Sequence, residues 1–196
     1  MIKINKRKFK QVEKRLGQYP KKAPLVIARA LNRAAMNLKT NVSKETRKVY
    51  TVKAADIKKT LRIQRSSRTK LFAAVISEDG AIGLDSFRVT PAQPRHENPP
   101  KILKVRIKKS GGAKKVVDGF VAEVNGRNRV FKRKPESKHR RLAPGKWTEL
   151  PIERQFGPPV PLMMGSKSIR KVVEREAAAV FKKRLDHEIK RVLEGN

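Results

Sequence analysis

Three histidines, His96, His139 and His187, and four carboxylates, Asp79, Asp85, Glu97 and Asp118, come closest in type and setting to reactive chemistry in this 196-residue sequence. Converging carboxylates would bind Mg²⁺ and position a water against a phosphodiester. Histidines at i, i+4 with a third ligand would hold zinc. The spacing supports neither. His96 stands in a Pro-rich stretch beside Glu97, His139 among Lys and Arg, and His187 in a helical pattern between Asp186 and Glu188. Asp79 and Asp118 each precede Gly, the ordinary pattern of a turn. Cysteine is absent, which removes disulfides, thiolate metal sites and cysteine nucleophiles together. Gly111-Gly112 lacks the Lys-Ser/Thr that completes a phosphate-cradling loop. The sequence therefore reads as a non-enzyme without metal or cofactor.

Charge is the stronger signal. Fifty Lys and Arg stand against 17 Asp and Glu, a formal net charge of +33. Such a surplus repels itself and calls for a dense negative partner. Nucleic acid fits, because every phosphate neutralised releases a condensed counterion. The excess is not confined to a tail: residues 1–72 hold 22 of the basic and 3 of the acidic residues. The sharpest local run is Arg127, Arg129, Lys132, Arg133, Lys134, Lys138, Arg140 and Arg141, which is either a phosphate-facing surface or a solvated hairpin tip. Phe72, Phe87, Phe120 and Trp147 are placed where a core needs them, so contact to the DNA backbone without base reading is expected. A second candidate is the apolar strap containing Pro158, Val160, Pro161, Leu162, Met163 and Met164. It either covers the core or, made rigid by its prolines and adaptable by its methionines, docks a partner.

The elements that must position these residues follow from periodicity. Lys6 to Leu16 suits a short helix ended by Gly17. Ile27, Leu31, Ala34, Leu38 and Val42 mark one stripe of a helix from Pro24 to about Lys48. A short turn of helix follows at Ala54 to Lys59. The period then becomes two: Leu61 to Gln64, Leu71 to Ser77, Ile82 to Val89, Ile102 to Lys108, Val116 to Val124, Arg129 to Lys132 and Trp147 to Ile152 read as strands. Hairpins are expected at Asp79-Gly80 and Asn125-Gly126. Ile169, Val173, Ala177, Val180, Leu185, Ile189 and Val192 mark a last helix, capped at Ser166 or Ser168 and stopped by Gly195. The fold class is α+β: an antiparallel sheet or barrel between a long N-terminal and a long C-terminal helix. One domain is expected over 1–196. Within it residues 1–60 are helical, residues 61–153 form the β region, 154–165 the strap and 166–196 the last helix.

The start of the chain lacks the apolar run of a signal peptide, and no stretch approaches the ~20 apolar residues that cross a bilayer. A soluble protein made in a cytoplasm is expected, with no membrane partner.

In this order of elements the chain resembles the minor tail protein Z family of tailed phages, the tail-completion proteins of lambda-type siphophages. The resemblance rests on Ala30-Leu31-Asn32-Arg33-Ala34 followed by Tyr50, then Leu71-Phe72-Ala73-Ala74-Val75-Ile76 with Ile82, Leu84 and Phe87. It continues through Gly119-Phe120-Val121-Ala122, Val130-Phe131-Lys132-Arg133 and Gly157-Pro158-Pro159-Val160-Pro161 before the terminal helix. It implies a non-enzymatic virion component at the head-proximal tail end, assembled in the host cytoplasm. Its implied neighbours are the tail terminator and the connector, and its implied form is a homo-oligomeric ring turning a basic face toward DNA. The alternative reading is a sequence-nonspecific nucleic-acid-binding protein of ribosomal or nucleoid type, although such chains more often gather their cations in unstructured tails.

Overall fold

A computed structural model describes residues 2–95, 102–134, 141–143, 146–147 and 152–195. It is α+β, with long helices before and after a series of antiparallel sheets. The chain divides into two compact units.

The first unit comprises Met1–Thr46, Ile57–Glu78 and Pro161–Asn196. Helix α1 (Lys6–Arg15) begins where Asn5 accepts a hydrogen bond from the Lys8 N–H at 2.9 Å, and the chain leaves it through Gly17 at φ +54°. A side-chain oxygen at that position satisfies one of the donors that a helix start leaves orphaned. Helix α2 (Ala23–Val49) follows a 3₁₀ turn at Pro20–Lys22 and holds Pro24 in its first turn. Its buried face carries Val26, Ile27, Ala30, Leu31, Ala34, Leu38 and Val42. The final helix (Lys167–Leu193) buries Ile169, Val173, Ala177, Phe181, Leu185, Ile189 and Val192. At ~3.6 residues per turn, a four-residue spacing rotates the stripe by about 40° at each step. The stripe therefore winds round the helix, and only its later portion (Phe181, Leu185, Ile189, Val192) joins the main core with Val12, Leu16, Ile27 and Leu31.

Ala73 supplies the sheet's share of that core. It sits on β3 (Phe72–Ser77), which pairs with β1 (Ile2–Lys3) and β2 (Leu61–Gln64). Strand β2 directly follows the short helix α3 (Ala54–Thr60). The loop between β2 and β3 is clamped to α2. The Asn32 amide donates to the Ser66 carbonyl at 3.0 Å, and its Oδ1 accepts from the Ser66 N–H at 2.8 Å. Ser66 is buried, so Asn32→Ala leaves two backbone groups without water or partner. A loss of ~2–3 kcal/mol is expected, read as a lower denaturation midpoint with an unchanged slope.

The second unit comprises Arg47–Asp56 and Asp79–Val160. One sheet orders β5 (Arg88–Thr90), β6 (Ile102–Arg106) and β7 (Lys114–Val117). Another orders β8 (Gly119–Val124) and β9 (Arg127–Arg133), with β9 also pairing with β12 (Ile152–Arg154). Two small pairings complete it: β4 (Ile82–Gly83) with β13 (Phe156–Gly157), and β10 (Arg141–Ala143) with β11 (Lys146–Trp147). Leu103, Val105 and Val130 are almost fully buried here, with Tyr50, Val52 and Phe87. The segment leaving α2 runs along the end of this unit: Lys109 N–H donates to Val49 C=O at 2.8 Å and Thr51 N–H to Ile107 C=O at 2.9 Å.

Several expectations need correction. Asp79-Gly80 is not a hairpin, since β3 pairs with β1 and β2 whereas β4 pairs with β13. The Asp79 side chain instead accepts from the Gly80 N–H at 2.9 Å. Ile82 to Val89 is not one strand: Leu84–Ser86 forms a 3₁₀ turn between β4 and β5. Val116 to Val124 is divided at Asp118, whose φ of 55° breaks the extended chain. The strap is partly helical, because Val160–Met164 forms helix α4 (the terminal helix is α5). Pro161 sits near its start, where a missing N–H costs nothing, and the Gly165 N–H closes the turn onto the Pro161 carbonyl at 3.0 Å. By contrast Asn125 and Gly126 take φ of 54° and 69°, the left-handed pair that a two-residue hairpin needs. Residues 148–151 of the expected last strand lie outside the described residues.

Candidate functional site

Two sheet faces in the second unit gather the charge. On β9 side chains alternate, so Arg127, Arg129, Phe131 and Arg133 share one face while Asn128, Val130 and Lys132 share the other. Directly opposed residues in antiparallel strands also share a face. Phe120 lies opposite Phe131, Ala122 opposite Arg129, and Arg154 of β12 opposite Phe131. The rings of Phe120 and Phe131 stack with centroids 6.0 Å apart, and the Arg133 guanidinium lies 5.2 Å from the Phe120 centroid. Carboxylates are sorted to the reverse face: Glu123 stands opposite Asn128, and Glu153 opposite Lys132. The result is an Arg-Phe surface that these three strands furnish with no acidic residue.

The expected basic run is thus split by the pleat. Arg127, Arg129 and Arg133 come together, Arg127 and Arg133 exposed and Arg129 half-buried, whereas Lys132 points away beside Glu153. Lys134 follows the strand end, exposed. Lys138 and Arg140 lie outside the described residues, and for Arg141 only the backbone in β10 is described. Of the aromatics expected in a core, Phe87 packs inside, Phe72 and Phe120 are half-buried, and the Trp147 side chain lies outside the described residues.

The second face was missed. On β6 Leu103 and Val105 turn inward, so Ile102, Lys104 and Arg106 turn outward. Register sets Lys104 opposite Lys115 and Arg88 opposite Arg106. All four are exposed, and no carboxylate stands on these three strands. Like charges directly opposed across strands destabilise a sheet. A fold that keeps two such pairs side by side relies on counterions or an anionic partner. The signal was present in Lys104 and Arg106 alternating with Val105, but the opposing Arg88 and Lys115 are distant in sequence and only register brings them in.

The other candidates fall elsewhere. In the strap Val160 and Met163 are fully buried, Pro158, Pro161 and Met164 are half-buried, and Leu162 is 67% exposed. Asp85 pairs with Arg154 at 3.1 Å, Asp79 is held by its own turn and Asp118 is exposed, so these carboxylates do not converge. Glu97, His96 and His139 lie outside the described residues, and His187 is exposed on α5. Among the described residues no group of three or more His, Cys, Asp or Glu comes together to hold a metal, and no helix is long and apolar enough to cross a membrane.

Residues 9–194 match the family model described as prophage minor tail protein Z. No curated protein and no solved structure matches the chain.

Proposed function

The chain belongs to the prophage minor tail protein Z family, structural components of phage tails, and from that premise we propose that it completes the head-proximal end of the tail as a ring with basic sheet faces toward DNA. It acts without catalysis, beside the tail terminator and the connector, in a virion assembled in the host cytoplasm. The observation that carries the DNA-facing role is the pairing of Lys104 with Lys115 and of Arg88 with Arg106 on one exposed, acid-free sheet. Phosphates relieve that repulsion and release counterions as they do so, with no base reading required. A closed ring repeats one face around an axis. A single chain's sheet becomes a continuous positive lining in that arrangement. With +33 per chain the ring opposes its own closure, so assembly is conditional on DNA, salt or a neighbouring protein.

The genetic test is a host producing the phage without this chain. Heads and tails that fail to join productively are the expected outcome by electron microscopy and plaque titre. Normal infectious particles from the deletion would overturn the tail-completion reading.

A further inference from the structure

Within the first unit lies a cleft of about 1260 Å³, bounded by α1, α2 and α5. Its lining is hydrocarbon: Val12, Leu38, Val42, Val173, Ala177 and Phe181, from 2% (Val12) to 7% (Phe181) exposed, form the base, with half-buried Val75 and exposed Ala178 and Ala179 beside them. The volume exceeds the ~300–1,000 Å³ of ordinary small-molecule sites. The cleft follows α5 from Ile169 to Asp186, about 26 Å at 1.5 Å per residue, which is the length of a helix of about 17 residues. Pro161 and Met164 of α4, half-buried, line it as well.

The rim identifies the occupant. Both carboxylates on it are taken: Asp186 pairs with Arg15 at 2.7 Å and Glu174 with Arg170 at 3.0 Å. Lys8, Lys14 and Lys182 are exposed on the same rim and have no carboxylate partner among the described residues. A second copy of a +33 chain brings the wrong sign to that rim. DNA brings the right sign, yet its phosphates leave a hydrocarbon floor unfilled. We propose that this cleft docks an acidic amphipathic helix of another protein, apolar stripe inward and carboxylates against Lys8, Lys14 and Lys182. Helix-in-groove recognition uses this division between an apolar seam and a charged border. The inference goes beyond the tail reading and stands whether or not DNA is contacted.

The test uses the full chain and a fluorescein-labelled, stapled peptide of about 18 residues, built from Leu at i, i+3, i+4 and i+7 with Glu elsewhere. Two comparison peptides carry Lys in place of Glu, or the same Leu and Glu in scrambled order. Anisotropy at near-physiological salt is expected to show saturable binding of the acidic amphipathic peptide, at least about tenfold weaker binding of the scrambled one, and none of the Lys version. Lys8→Glu, Lys14→Glu and Lys182→Glu together should weaken binding at least about tenfold. Lys108→Glu, Lys109→Glu and Lys114→Glu, exposed in the other unit and off the proposed DNA face, make the same charge change and should leave binding within about twofold. Ala178→Trp, at an exposed position lining the cleft, should abolish binding while the circular dichroism spectrum is retained. Equal binding of the scrambled peptide, or equal loss from the second triple variant, would reduce the effect to net charge and overturn the proposal. Self-association in ultracentrifugation that Ala178→Trp removes would assign the cleft to a second copy and overturn it too.

Discussion

Changing Arg88, Lys104, Arg106 and Lys115 together to Gln is expected to lower affinity for duplex DNA about a hundredfold at low salt, equally for unrelated sequences. Each lost phosphate contact removes about one unit from the slope of log affinity against log salt, so the slope should fall by about four. The same variant should be at least as thermostable as the parent, because two like-charged cross-strand pairs disappear. Loss of binding without loss of stability separates a binding surface from a structural one. Arg127, Arg129 and Arg133 changed to Gln should give a second, additive loss if their face also meets the backbone. Lys132→Gln should do little, since that side chain stands opposite Glu153 on the reverse face. Filter binding or anisotropy across a salt series measures all of this. An unchanged slope in the quadruple variant would remove the β5-β6-β7 sheet from any account of DNA contact.

The second large effect is on folding. Leu31→Ala should destabilise the helical unit by ~3–4 kcal/mol, within the range for fully buried leucines. Leu31 is 0% exposed, and Ala30, Ala34 and Ala35 lie beside it on the same helix. Alanines have no side chain long enough to swing into the space, so the cavity stays open and the cost stays clear of the low end of the range. For a chain of this size that corresponds to a fall in Tm of roughly 6–15 °C. Met36→Ala, at a position 48% exposed on α2, should move Tm by less than about 2 °C. A Leu31→Ala variant that melts with the parent would show that the α1-α2-α5 core does not limit stability.

Local signals carried the long elements, because their causes are local. Asn5, Gly17, Pro24 and Gly195 each act within a turn of the helix end they mark, and α2 and α5 lie within a residue or two of the expected ends. Asn125-Gly126 specified its hairpin for the same reason: two left-handed residues in succession leave the chain one compact path. Asp79-Gly80 shows where local reading stops. A turn sequence permits a hairpin, but pairing depends on which strands are available, and β3 was taken by β1 and β2.

Alone, the sequence determined a basic, cysteine-free α+β chain of the tail family, because composition, periodicity and motif order are properties of the string. Tertiary structure alone decided which cations act together. Strand alternation separated Lys132 from Arg133, its neighbour in sequence, and register joined Arg88 to Arg106 and Lys104 to Lys115. The cleft was equally out of reach of the string. Its floor draws on three helices, and the winding four-residue stripe of α5 brings Phe181 to Val192 into the main core while Ile169, Val173, Ala177 and Phe181 also line the cleft. A side chain's partners depend on the path of the whole backbone, and charge repulsion or apolar burial takes effect only once that path has brought distant residues within contact distance.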